Sequence, residues 1–184
     1  MELSDLKDFK IMHNSDLFFD HSVKKMNWFN IGGKSKVFFK PKSLTELKDF
    51  LALYSNRGKI FILGLGSNVL FHDDIYNGVI IKLGSSFATL SKLKNDIIIA
   101  GSSCSQKKLS TFAMENNIAG FEFMHCIPGS IGGGVKMNSG CFGSEFKDKL
   151  ISLQCMDTFG NIRVLPANKI KFNYRSVEFE ENLI

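Results

Sequence analysis

The sequence predicts an α+β fold, and three observations carry that prediction. Short runs of β-branched and aromatic residues mix with helical apolar spacing, without the regular strand–helix alternation of a parallel α/β protein. With 44% hydrophobic residues, 22% charged residues and three prolines in 184, the chain can build a core of ordinary density. Half of its sixteen glycines gather in two stretches flanked by apolar side chains, unlike a flexible linker, which would be serine-rich and apolar-poor.

Residues 1–25 read as a mixed segment, helical in part, with Leu3, Leu6 and Phe9 at helical spacing. Asn27-Trp28-Phe29-Asn30-Ile31-Gly32-Gly33 breaks that pattern, and Val37-Phe38-Phe39 forms a short strand closed by Pro41. Ser43-Leu44-Thr45-Glu46 is a capping box. It opens a helix with Leu44, Leu47, Leu51 and Tyr54 on one face, ending at Gly58. Strands follow at 60–63, 79–83 and 97–101. Ser105 caps a helix that turns Leu109, Phe112 and Ala113 inward. After the glycine-dense residues 128–143, strands 151–156 and 162–164 join through Asp157-Thr158-Phe159-Gly160, a hairpin signal. The final Leu183-Ile184 pair reads as a strand cut short.

Composition narrows the function classes. The net charge is +5, but only Arg57, Arg163 and Arg175 among the 23 basic residues are arginine, and the lysines are scattered. Readers of bases and phosphates favour the bidentate guanidinium, so the excess charge reads as a solvated surface. Cys104, Cys126, Cys141 and Cys155 form no C-x-x-C, and the four histidines add no ligand spacing, so no metal site is expected. No apolar run approaches the roughly 20 residues needed to cross a bilayer, and the first ten residues lack the order of a signal peptide. A cytoplasmic location with reduced thiols is the expectation.

The two glycine stretches carry the chemistry. Gly64-Leu65-Gly66-Ser67-Asn68 follows a strand, and consecutive amides in such a turn can cradle an anion, a diphosphate being the natural guest. A dinucleotide fingerprint would need glycine where Val69 stands, and an ordinary tight turn remains open. Residues 128–143 hold six glycines interleaved with Ile131, Val135, Met137 and Phe142. The segment is therefore packed, either against a cofactor ring with a diphosphate tail or as an Ω-loop with no ligand.

Four blocks then resemble the UDP-N-acetylenolpyruvoylglucosamine reductase family. They are Asn27–Gly33; Ile62-Leu63-Gly64-Leu65-Gly66-Ser67-Asn68-Val69-Leu70; Gly120-Phe121-Glu122-Phe123 running into Ile127-Pro128-Gly129-Ser130-Ile131-Gly132-Gly133; and Asn173-Tyr174-Arg175-Ser176. With Asn138-Ser139-Gly140-Cys141-Phe142-Gly143 added, the third block is highly specific, and the match runs from about residue 25 to the end. The resemblance implies the two-lobed FAD-binding fold of p-cresol methylhydroxylase and vanillyl-alcohol oxidase. It divides the chain into an N-terminal segment (1–25), a first FAD-binding lobe (26–84) and a second lobe (85–184), with the substrate-binding domain missing.

By resemblance, Gly64, Leu65, Gly66, Ser67 and Asn68 hold the FAD diphosphate. Ile127, Pro128, Gly129, Gly132, Gly133, Asn138 and Gly140 line the flavin and ribityl chain. Tyr174 and Arg175 face the substrate, with Arg175 catalytic. The implied cofactors are non-covalent FAD and NADPH as co-substrate. The implied partner is UDP-N-acetylglucosamine enolpyruvate, reduced to UDP-N-acetylmuramate for peptidoglycan synthesis. An always-charged guanidinium that grips a carboxylate with two bonds suits the enolate-like charge of such a reduction. The family's serine proton donor and late glutamate match no residue here, as nine residues follow Arg175, so the chain alone is expected to be impaired. The family's usual serine two places after the arginine is Val177, and Cys126 stands where glycine is common. Two alternatives stay open: another FAD oxidase of this fold, with flavin attached through His125 or Cys126, and a flavin-binding module without chemistry.

Overall fold

The computed structural model describes residues 4–179 and Leu183. Its first half is built on a mixed four-stranded sheet of β1 (Asp16–Ser22), β2 (Lys34–Lys40), β3 (Lys59–Ile62) and β4 (Ile75–Ile81) in the order β1-β2-β4-β3. β1 is antiparallel to β2, while β2 and β3 both run parallel to β4. The central strands are covered on both faces. This explains why Val37-Phe38-Phe39 and Val79-Ile80-Ile81 read as continuous apolar runs. Val37, Phe39, Val79 and Ile81 point to one side, into a core shared with helices α1 (Ser4–His13) and α2 (Leu44–Tyr54). Phe38 and Ile80 point to the other, against Val23 and Leu63.

Local sequence sets these elements. Ser43 Oγ accepts the Glu46 amide at the start of α2. The capping box is modified, because the Glu46 carboxylate accepts the Lys42 amide at 2.6 Å and the buried Ser15 hydroxyl rather than the amide of Ser43. Along α2 the inward face is Leu47, Phe50, Leu51 and Tyr54, whereas Leu44 in the first turn is exposed. Phe50 stacks on Phe39 with ring centroids 4.1 Å apart and on Tyr54 at 5.5 Å. Burying each such aromatic ring contributes about 1.5–3 kcal/mol.

Residues 1–25 contribute more than a partial helix. Leu6 and Phe9 of α1 are buried as the spacing predicts, and Leu3 lies outside the described residues. β1 was not anticipated. Leu17 and Phe19 alternate inward, but Asp20 sits in the left-handed region at φ +49 and obscures the pattern. Pairing with β2 makes this segment a strand.

The second half packs around Leu109, Phe123, Met124, Ile131, Val135 and Phe146. It holds hairpins β5 (Leu90–Lys92)/β6 (Ile98–Ala100), β7 (Gly140–Cys141)/β8 (Ser144–Glu145), β9 (Ser152–Met156)/β10 (Ile162–Pro166) and β11 (Lys171–Asn173)/β12 (Ser176–Glu178), with helices α3 (Gln106–Glu115) and α4 (Ile131–Lys136). Ser105 Oγ caps α3 through the Lys108 amide. Asp157 shapes the β9–β10 turn by accepting the Phe159 and Asn161 amides at 2.9 and 2.8 Å, and Gly160 supplies a φ of +89. Leu183 forms an isolated antiparallel bridge to Asp157, and Ile184 lies outside the described residues. No helix among the described residues is long and apolar enough to cross a membrane.

Candidate functional site

The first glycine loop leaves the C-terminal end of β3, the end at which open α/β sheets bind ligands. Among the described residues, the amides of Gly64, Leu65, Gly66, Ser67 and Asn68 donate no hydrogen bond within the protein. Successive unpartnered amides are the material from which anion nests are built. Gly66 sits at φ +75, and a Cβ there would run into the Met26 carbonyl. The Trp28 amide donates to the Gly66 carbonyl at 3.2 Å. Asn27 is buried and holds its own loop, donating to Ile31 O at 2.7 Å and accepting the Phe29 amide. This is why a polar residue recurs in that loop beside exposed Trp28 and Phe29.

The second glycine stretch is not a plain loop. Ser130 accepts the Gly133 amide and opens α4, a helix of six residues containing Gly132, Gly133 and Gly134. Its entry runs antiparallel to residues 102–106, with Gln106 N donating to Gly129 O and Ile131 N to Cys104 O. The protein itself crowds most of these glycines. A Cβ on Gly134 would meet the Phe146 ring at 2.5 Å, one on Gly132 would meet Ser102 at 3.1 Å, and one on Gly140 would strike the Ser144 carbonyl. Packing against Phe146 and Ser102 thus accounts for the lack of a side chain at Gly134 and Gly132.

Gly129 (φ +149) is positioned differently, since it meets the first loop: a Cβ there would lie 3.5 Å from Ser67 Oγ. Ser67 donates its hydroxyl to Pro128 O at 2.9 Å, and a Cβ on Gly64 would lie 2.5 Å from Ser130 Oγ. The two glycine stretches, about sixty residues apart, are thus pressed together. The Ser67 side chain joins them.

A second group forms around Arg175. Tyr174 and Arg175 are the two-residue turn of the β11–β12 hairpin, with Arg175 in the left-handed region at φ +54. The guanidinium donates to Gly140 O at 2.9 Å and Asn138 O at 3.5 Å, and lies 4.9 Å from the centroid of the exposed Tyr174 ring. Arg175 also lines a cavity of about 350 Å³, together with Gly140, Glu145 and Lys147 among others.

Asn138 is fully buried at φ +38 and fixes this hairpin. Its Nδ2 donates to Asn173 O at 3.1 Å and to Glu145 Oε2 at 3.0 Å, and its Oδ1 accepts the Lys147 amide at 3.1 Å. The Glu145 carboxyl is held below its ordinary range, first by the Lys147 ammonium, then by Asn138 and Arg175. The Asn138 side chain is therefore spent inside the protein.

Of the residues singled out from sequence, Gly64–Asn68 meet Pro128, Gly129 and Ser130, while Asn138, Gly140, Tyr174 and Arg175 cluster separately. Residues 127–140 connect the two groups, and Ile127 packs at the edge of the second core. Sequence reading missed Gln106, which is 2% exposed, accepts the Ser139 hydroxyl and borders Gly129 and Gly134. It also missed Glu145, the partner of Asn138. Neither lies in a recognisable motif. Ser130 stood inside the motif, and its place before a helical turn was the available signal.

Residues 35–165 match the model of the FAD binding domain family. The whole chain is 51% identical to a UDP-N-acetylenolpyruvoylglucosamine reductase of Pelagibacter ubique, covering 61% of that protein. It is 42% identical over 165 residues to the Rickettsia massiliae reductase, covering 90% of this chain and 56% of that one. The chain thus spans less than two-thirds of these relatives' length. Among solved structures, the Thermus caldophilus reductase superposes with a TM-score of 0.76 at 25% identity, over 92% of this chain and 59% of that one. The BBE-like 1 protein of Physcomitrella patens shares the fold, with a TM-score of 0.61 at 15% identity over 89% of this chain and 38% of that one.

Proposed function

Because the chain belongs to the FAD binding domain family and, within it, to the UDP-N-acetylenolpyruvoylglucosamine reductases, we propose that it supplies the flavin site of an enzyme reducing UDP-N-acetylglucosamine enolpyruvate to UDP-N-acetylmuramate, with NADPH as reductant, in the cytoplasm. The observation that carries the reading is the first glycine loop. Its five unpartnered amides, pressed against Pro128–Ser130, fit the charge of the FAD diphosphate. Gly64, Gly66, Ser67, Asn68 and Gly129 would hold that group, with the lobes divided near residues 84 and 85. When bound, the flavin supplies the hydride chemistry.

Arg175 does the rest of the work assigned to this chain. Two backbone carbonyls and the Tyr174 ring fix its guanidinium, and its free donors clamp the enolpyruvyl carboxylate. The clamp stabilises the negative charge that develops as the double bond is reduced. A guanidinium already fixed by these contacts needs no reorganisation at that moment. Asn138 acts through Arg175, as a positioning residue. The proton that completes the reduction is assigned to none of the described residues.

Titration of the purified chain with FAD tests the cofactor assignment. The expected result is a yellow complex that releases free FAD on acid precipitation. Adding the UDP-linked enolpyruvate should then shift the flavin absorbance, and Arg175→Ala should abolish that shift. A chain that binds no FAD overturns the cofactor reading. A flavin complex that responds equally with and without Arg175 overturns the substrate clamp.

A further inference from the structure

We propose that Cys126 and Cys141 form a reversible disulfide site, a dithiol that exchanges with low-molecular-weight disulfides. Their Sγ atoms lie 3.7 Å apart although the residues are 15 positions apart in sequence. Cys126 is exposed and ends the short helical turn Glu122–Cys126, while Cys141 is half-buried on β7. The adjoining turn is open, since Phe142 is 88% exposed and nothing lies within 4 Å of a Cβ on Gly143. That hairpin tip can therefore move by the small distance needed to bring the sulfurs to bonding length. Of the remaining cysteines, Cys104 is buried in the second core, and Cys155 sits on β9 facing the Arg163 carbonyl.

The chemistry runs in two steps. The accessible Cys126 thiolate attacks one sulfur of the disulfide, that S–S bond breaks, and one thiol leaves with a proton. The Cys141 thiolate then attacks the Cys126 sulfur and releases the second thiol. The protein loses two electrons and two protons, and the external disulfide becomes two thiols. Burial, and the neighbouring Cys126, push the Cys141 thiol above its ordinary range, so little of it is thiolate and the second step relies on the closeness of the two sulfurs.

The bond would tie the start of residues 127–140 to their end. That span includes Pro128, Gly129 and Asn138, and ends at Gly140, whose carbonyl holds Arg175. Oxidation would thus staple the segment that joins the two groups of site residues. The disulfide chemistry itself does not depend on the flavin assignment.

The test treats the purified chain with glutathione disulfide, quenches with acid, alkylates and maps the peptides. The expected product lacks two hydrogen atoms, retains no glutathione, carries a Cys126–Cys141 cross-link and reverts with dithiothreitol. Titratable thiols in the unfolded product fall by half from the four of the reduced chain. In Cys141→Ser the second step cannot occur, and glutathione remains on Cys126. Three results overturn the proposal: glutathione retained on Cys126 of the unaltered chain, a cross-link through Cys104 or Cys155, or no reaction at Cys126.

Discussion

Asn138→Ala probes the link between the second glycine stretch and the arginine hairpin. The substitution removes the acceptor of the Lys147 amide and the donor to the Asn173 carbonyl. Each bond contributes about 1 kcal/mol net. Glu145 keeps its pairing with Lys147 at 2.8 Å, so the bond to Asn138 Nδ2 adds nothing to this figure. Alanine must also hold φ +38, where asparagine is tolerated and a plain L side chain costs about 1–2 kcal/mol. The expected loss is about 3–4 kcal/mol. With a urea slope of about 2 kcal/mol/M, the unfolding midpoint should fall by about 1.5–2 M. Circular dichroism during urea titration reads that shift. A fall below about 0.5 M at unchanged slope would refute the reasoning, because the hydrogen bonds of Asn138 would then not be holding the hairpin.

Two further outcomes follow from the same structure. Gly66→Ala forces an L residue to φ +75 against the Met26 carbonyl, so the loop must shift; FAD affinity should drop at least about tenfold, equivalent to 1.4 kcal/mol, by fluorescence titration. Gly143→Ala, strained alike at φ +81 but outside the first loop and with nothing within 4 Å, should bind FAD nearly as tightly, and equal loss in both variants would argue against the first loop as the diphosphate cradle. Asp157 titrates below the usual aspartate range, chiefly through the Asn161 side chain and then the Asn161 and Phe159 amides. Its folded value is depressed, so its contribution is present above the unfolded value near 3.9 and is lost as pH falls through the lower folded value. Melting temperatures measured on acidification should fall less steeply in that window for Asp157→Asn than for the unaltered chain.

Much of the architecture was legible locally. Ser43 and Ser105 announced the two long inner helices because a capping hydroxyl acts within one turn. Val37–Phe39 and Val79–Ile81 announced the central strands because burial on both faces demands unbroken apolar runs. β1 stayed hidden because its identity depends on pairing with β2 and its pattern breaks at Asp20.

The sequence alone determined the glycine-rich turn after β3, the glycine-dense segment and the Asn173–Ser176 motif whose family resemblance singled out Arg175. These are properties of neighbouring residues, set by backbone freedom and side-chain chemistry. Only the tertiary structure decided that Ser67 reaches Pro128 and that Asn138 and Gly140 hold the arginine hairpin. It likewise decided that helix packing, as well as any ligand, accounts for the glycine run. Each of these joins residues about thirty or more positions apart or a helix to its packing partner, and contacts of that kind exist only after the sheet and the second core have closed.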